Sequence, residues 1–239
     1  MKLFDLLPKK NRFMSMGLTL LASATLLSSC LKNDSDDYQG PISAVSFVHA
    51  AASQPSVEVF VDGRPFFNSA VLYGEYSPYY TAGSGNHLFQ TAIGGTNQKL
   101  SDKTYALEEG KYHTIFFANK VESDSLETVV TVDDRTAPAT GKVKVRFVQL
   151  SPTNEEYDLY LQGGRLLSDA KAYKESSEFT EIDPAKYKFA VRLAGAAEDK
   201  VVTAEVDAAA GKFYTVVLAG KASIPAGTTG ALKAFVLVQ

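Results

Sequence analysis

The 239-residue sequence has no tryptophan, one cysteine and three histidines. The lone cysteine, Cys30, cannot cross-link its own chain, so a disulfide framework is excluded. His49, His87 and His113 stand far apart, in no metal-ligand spacing, and no second cysteine can join them, so no metal site is expected. No G-x-S-x-G elbow and no P-loop occurs, and "GSGN" (83–86) and "GGTN" (94–97) lack a following helix, so they read as hairpin turns. Basic excess is missing too: the formal net charge of −3, with no basic stripe, argues against nucleic acid. No catalytic constellation and no cofactor motif emerges. Glu58, Asp62, Glu75, Asp158 and Glu175 are available as carboxylates, but Glu58 and Asp158 alternate with apolar residues and read as members of a solvated strand face.

Long apolar runs are also scarce. An uncharged, largely apolar run, residues 13–29, follows Lys9, Lys10 and Arg12. A positive segment, a short apolar core and then small residues form a secretory signal. A membrane-spanning helix needs about 20 apolar residues, so an uncleaved anchor is the weaker alternative. The stretch closes on Leu27-Ser28-Ser29-Cys30, which resembles the bacterial lipobox. That resemblance implies cleavage before Cys30 and acylation of it, with palmitate a representative chain. Each buried CH₂ adds roughly 0.8 kcal/mol, so two or three chains hold a protein to a membrane almost permanently. Asp5, an acid in an unusually long n-region, departs from the usual signal.

Residues 30–41 then read as an acidic tether carrying Asp34, Asp36 and Asp37 around Ser35. Clustered charge and low hydrophobicity describe a solvated spacer. A short acidic stretch after the acylated cysteine also resembles the export signal of surface lipoproteins in the Bacteroidetes. The expected location is the outer membrane, lipid-anchored and facing the cell surface, with the periplasmic face as the alternative.

What remains is a repeat. Shifting the chain by 100 residues lays "AVSFVHAAASQPSVEVFVDG" (44–63) on "KVRFVQLSPTNEEYDLYLQG" (144–163). Tyr73, Glu75, Ser77 and Phe89 then meet Tyr173, Glu175, Ser177 and Phe189. With one residue inserted in the second copy, "EGKYHTIFFAN" (109–119) meets "AGKFYTVVLAG" (210–220). Two copies are thus expected, at residues 42–132 and 142–239, joined by the polar Pro/Gly linker 133–141. Inside each copy the period is two. Val57, Val59 and Val61 alternate with Glu58, Phe60 and Asp62, while Lys142, Lys144 and Arg146 face away from Val143, Val145 and Phe147. Such alternation marks strands with one wet face. Roughly seven short strands per copy predict an all-β chain of two tandem Ig-like antiparallel β-sandwiches behind a lipoprotein signal peptide, residues 1–29.

The order of motifs is specific. A strand followed by His49, Pro55, "VEVFVDG" (57–63), "YGEYSPY" (73–79) and Gly110-Lys111-Tyr112-His113-Thr114 resembles domain-of-unknown-function family 4397. The second copy departs from the pattern at Gln149 and Gln162. The resemblance implies an exported bacterial protein, often a Bacteroidetes lipoprotein with tandem copies, and carries no catalytic residue.

Two smaller signals remain. Tyr73 and Tyr79 have aromatic repeat partners, Tyr173 and Phe179, and read as shared core. Tyr76 and Tyr80 meet Ser176 and Thr180, so these two tyrosines are spare to the common fold and are candidate ligand-binding residues. Asp124-Ser125-Leu126 resembles a Bacteroidetes O-glycosylation site, with Ser125 the acceptor. The expected function is non-catalytic binding of a glycan or protein at the cell surface. A structural or accessory subunit of an envelope assembly is the alternative, and an enzyme comes third.

Overall fold

The computed structural model describes residues 40–123 and 125–239. Leu27, Ser28, Ser29, Cys30 and the signal and tether up to residue 39 lie outside the described residues, as does Asp124.

In the first copy, alternating sequence produces β1 (Ile42–His49), β2 (Ser56–Val61), β3 (Arg64–Pro65), β4 (Val71–Leu72), β5 (Tyr80–Gly83), β6 (Gly85–Ile93), β7 (Lys99–Leu107), β8 (Tyr112–Asn119) and β9 (Leu126–Asp133). One sheet has the order β5-β1-β8-β9; the other has β3-β2-β6-β7, with β4 also on β2. The second copy runs β10 (Val143–Gln149), β11 (Tyr157–Leu161), β12 (Leu166–Lys171), β13 (Thr180–Ile182), β14 (Ala185–Tyr187), β15 (Phe189–Leu193), β16 (Val201–Val202), β17 (Val206–Ala208), β18 (Phe213–Ala219) and β19 (Lys233–Val238). Its sheets are β13-β10-β18-β19 and β12-β11-β15-β16, with a β14-β17 ribbon. The chain is therefore all-β, with two sandwiches in tandem. Strands outnumber the seven expected per copy because short hairpin arms such as β3 and β4 stand as separate elements. Asp62 and Gly63, at φ 51° and 76°, make the tight turn between β2 and β3 that needs positive φ at both positions.

One pairing in each copy is parallel: β1 with β8 and β10 with β18, in the same register, Ser46 opposite Thr114 and Arg146 opposite Thr215. A parallel pair needs a long crossover. Here the crossover in the first copy is β2–β7, which takes in the whole opposite sheet as well as β5, the edge strand beside β1. The alternation of residues along a strand cannot reveal which neighbour it takes, so this feature was invisible in the sequence.

Each sandwich encloses its own core. Without tryptophan, the first copy clusters phenylalanines: Phe47 lies against Phe66, Phe67, Phe89 and Phe117 at centroid distances of 4.8–6.1 Å. In the second, Phe147, Tyr157, Leu159, Phe189 and Val216 are buried together. Burying a large apolar side chain contributes about 1.5–3 kcal/mol.

A third core lies between the copies. Val48, Ala50, Phe116, Ala118 and Val129 of the first copy pack on Val148, Leu150, Val217, Ala219 and Leu237 of the second. The outer faces of the two sheets containing the parallel pairs are thus joined to each other. This overturns the wet face expected for β10: Lys144 and Arg146 are only 9% and 3% exposed. Asp158, expected on a solvated face, is also buried. Arg146 is tolerable there because Asp133 of β9 meets its Nη1 at 2.6 Å. Thr131 donates to the same carboxylate oxygen, and Tyr79 and Thr114 donate to the other. The repeat places Ser46 opposite Arg146 and Gln239 opposite Asp133, so the charged pair exists once, across an otherwise equivalent junction.

The linker is held too. The Arg135 guanidinium sits 4.0 Å from the Phe213 ring centre of the second copy, and 5.3 and 5.7 Å from Tyr79 and Tyr112 of the first. Tyr73 and Tyr173, expected in the shared sandwich core, serve the junction instead. Tyr73 packs against the inter-copy core, and the Tyr173 hydroxyl reaches the Asn119 carbonyl and Glu127 of the other copy.

Candidate functional site

Residues 71–80 of the first copy follow the edge of β1. β4 pairs with β2, then the chain turns: Gly74 N donates to the His49 carbonyl, and Glu75 Oε2 accepts from Leu72 N. Tyr76 bridges Val48, and Ser77 N donates to the Phe47 carbonyl. Pro78, which has no N–H to give, separates this stretch from β5, where Tyr80 pairs with Val45. The turn recurs in the second copy, where Glu175 accepts from Ala172 N.

Tyr76 and Tyr80 come together on one cleft of about 460 Å³, which Phe67, Ser69, Glu75 and Pro78 also line. Tyr80 is 40% exposed and Tyr76 37%. The two rings are held differently. Tyr80 stands edge-on to Phe66 and Phe67, at 5.4 and 5.8 Å, and both of those rest on buried Phe47. The Tyr76 hydroxyl accepts a hydrogen bond from Val238 N, 3.1 Å away in the second copy. One side of the cleft is therefore set by the core of the first copy and the other by the last strand of the second. A neighbouring hollow of about 380 Å³ shares Phe67 and Ser69 and adds Glu58, Asn68 and Phe60.

Sequence reasoning named Tyr76 and Tyr80 and missed Phe66 and Phe67. The same repeat comparison contained the signal, because these phenylalanines fall on Leu166 and Leu167. At four positions the first copy has aromatic rings where the second has Leu, Leu, Ser and Thr.

The other candidate groups are engaged elsewhere. Glu58 Oε1 accepts from Gly95 N, and Asp158 Oδ2 accepts from Gly195 N, the same contact in the two copies. Asp62 accepts from Leu88 N and lies 2.7 Å from His87 Nδ1. These contacts hold the Asp62 carboxyl below the usual range. His113 Nε2 accepts from Glu108 N. His49 Nδ1 accepts from Ala51 N, and in the second copy Gln149 Oε1 accepts from Ser151 N, so the glutamine does the histidine's structural work. Among the described residues no group of three or more His, Cys, Asp or Glu is arranged to hold a metal. Ser125 is exposed in the β8–β9 loop, its hydroxyl 2.6 Å from that of Ser123.

No curated protein matches the chain. Among solved structures it is similar to a carbohydrate-binding module of family CBM26 from Eubacterium rectale Amy13K, crystallised with maltoheptaose. The identity is 9%, the coverage 83% of this chain and 96% of that one, and the TM-score 0.26. It is also similar to a protein from Bacteroides eggerthii DSM 20697 described as a candidate for cell adhesion, with 9% identity, 84% and 95% coverage and a TM-score of 0.21. The family comparison is decisive, since its model matches residues 43–160 and 149–238: the chain belongs to the family described as Domain of unknown function (DUF4397).

Proposed function

We propose that this chain is a non-catalytic binding module of the cell envelope, anchored through acylated Cys30 in the outer membrane and turned toward the cell surface. The cleft between Tyr76 and Tyr80 takes a glycan. The observation that carries this reading is the asymmetry of the repeat: Phe67, Tyr76 and Tyr80 line the cleft and Phe66 backs Tyr80, while the second copy has no aromatic ring at these four positions. Aromatic faces stack on the apolar faces of sugar rings, and nearby polar groups meet the hydroxyls. Ser69, Asn68 and the second carboxylate oxygens of Glu75 and Glu58 border the two adjoining hollows and supply such groups. The hollows together suit an extended saccharide better than a single ring. The second copy braces the first through the shared core and supports Tyr76.

A glycan array with the full chain tests the proposal. Binding should appear for wild type and fall by at least about 2 kcal/mol, the size of a hot spot, when Tyr80→Ala is combined with Tyr76→Phe. Unchanged binding in that folded variant would remove the cleft as the site. Failure to bind any glycan, together with co-purification in a stable membrane complex, would favour the accessory-subunit reading.

A further inference from the structure

At the junction of the copies, two equivalent corners differ in how the tyrosine hydroxyl is met. In the corner built on Tyr173, the tyrosine hydroxyl donates to Glu127 Oε1 at 2.8 Å, and Lys174 Nζ meets Glu127 Oε2 at 2.7 Å while lying 5.2 Å from the Tyr173 ring centre. The hydroxyl also meets the Asn119 carbonyl, so hydroxyl, ammonium and carboxylate all have partners. The repeat maps Tyr173 to Tyr73, Lys174 to Gly74 and Glu127 to Lys233. In the Tyr73 corner the ammonium comes from the opposite strand: Lys233 Nζ lies 4.0 Å from the Tyr73 ring centre, in the space a side chain at Gly74 would enter, 2.9 Å from where its Cβ would be. The ammonium is thus restored and the carboxylate is not.

The donors left over are unpartnered. The Tyr73 hydroxyl is buried without a hydrogen-bond partner. So is Nε2 of His49, a fully buried residue whose ring stands edge-on to Tyr73 at 5.9 Å. Since His49 Nδ1 accepts from Ala51 N, the neutral ring carries its proton on Nε2, which makes that atom a donor. The Gln54 carbonyl lies near the ring without meeting Nε2 in hydrogen-bond geometry. Gln149 Nε2 is unpartnered in the other corner as well, so the difference between the corners rests on the tyrosine hydroxyl and on the residue facing it. Buried polar groups without partners are uncommon, and a bound ion is one of the recognised explanations.

We propose that the corner formed by Tyr73, Lys233 and His49 is an oxyanion site, in which an external carboxylate or sulfate plays the chemical part that Glu127 plays in the equivalent corner. Half-buried Lys233 supplies the charge, Tyr73 a hydroxyl donor and His49 an N–H. The corner adjoins the Tyr76–Tyr80 cleft at Gly74, but its donors are different groups, and the proposal stands whether or not that cleft binds a glycan.

The test follows the melting temperature of the full chain against sodium sulfate and, separately, sodium glucuronate, each matched in ionic strength with sodium chloride. A saturable rise beyond the chloride control is expected for wild type. Lys233→Glu supplies the missing carboxylate, so it should fold normally and show at least a tenfold weaker response, and Tyr73→Phe should weaken the response several-fold. A rise with sulfate alone assigns the site to a free inorganic ion; a rise with glucuronate assigns it to an acidic saccharide. The proposal is overturned if neither anion exceeds chloride, if Lys233→Glu responds as wild type does, or if crystals grown in sulfate show only water on the Tyr73 hydroxyl.

Discussion

Asp133 and Arg146 are bonded at 2.6 Å across the junction of the two copies, with side chains 0% and 3% exposed. The pair joins the last strand of one sandwich to the first strand of the next. Arg146 Nε also donates to Thr215, its guanidinium lies 4.9 Å from the Phe179 ring centre, and Gln239 donates to the Tyr79 hydroxyl beside it. A tandem repeat with only a flexible linker would leave both faces in water. Here the junction is a core in its own right, and the two copies are expected to unfold together.

Removing one partner strands the other charge in that core. Arg146→Ala should therefore destabilise the chain by about 3–5 kcal/mol, far more than an exposed pair would. Replacing both partners with apolar residues should cost much less. Urea unfolding of the two variants measures the difference, and equal losses would show that packing alone, not the stranded charge, sets the cost.

A second expectation concerns acid. Burial lowers the His49 pKa from 6.5 to about 4, with Lys233 adding to the lowering and the Gln54 carbonyl opposing it. The unfolded chain thus binds a proton that the folded one refuses. Stability from this group is complete above pH 6.5 and is lost as pH falls toward 4, where protonation of the folded form ends the trend. His49→Gln copies the residue the second copy already uses at that place, so it should fold and flatten the dependence of melting temperature on pH across this window. An unaltered slope would assign the acid sensitivity to other groups.

The alternation of Val57, Val59 and Val61, and the 100-residue repeat, made the sandwiches and their number legible. The junction was not legible, because β10 alternates Lys144 and Arg146 with Val145 and Phe147, and a strand face holding paired charges reads like a wet one. A signal did exist in β8 and β18: "TIFFA" (114–118) and "TVVLA" (215–219) are apolar on both faces, as strands covered on both sides are. Tyr76 and Tyr80 were found by asking what one copy has and the other lacks. Applied to Phe66 and Phe67, the same question would have extended the patch.

The anchor makes a prediction of its own. Native protein should begin at Cys30, carry acyl mass and partition into detergent, because Leu27-Ser28-Ser29-Cys30 resembles a lipobox. Intact-mass measurement decides it, and a soluble product retaining residues 1–29 would refute it. Changing Asp34, Asp36 and Asp37 to Ala should reduce cleavage of the protein by protease added to intact cells. Equal protection of both forms would end the claim that the tether directs it outward.

Modification of Ser125 is expected in the native host, since the residue is exposed on the loop between β8 and β9, ahead of buried Leu126. Peptide mass spectrometry should find a glycan there, and an unmodified Ser125 peptide would exclude it.

The last prediction concerns how the second copy reaches the cleft. Val238 lies opposite Tyr214 on β18, and the neighbouring pair, Phe213 and Gln239, exchanges both ladder hydrogen bonds. The Val238 N–H therefore points away from β18, and the Tyr76 hydroxyl accepts it. Tyr76→Phe keeps the ring and deletes the acceptor; Val238→Pro keeps the strand's other hydrogen bonds and deletes the donor. Each should cost on the order of 0.5–1.5 kcal/mol, the net worth of one hydrogen bond. Because both changes remove the same bond, the double variant should cost clearly less than the sum of the two. If the cleft is the binding site, both single variants should also weaken glycan binding, Val238→Pro without touching the glycan at all. Additive losses in urea unfolding would mean that Tyr76 and Val238 act independently and that the second copy does not position the ring.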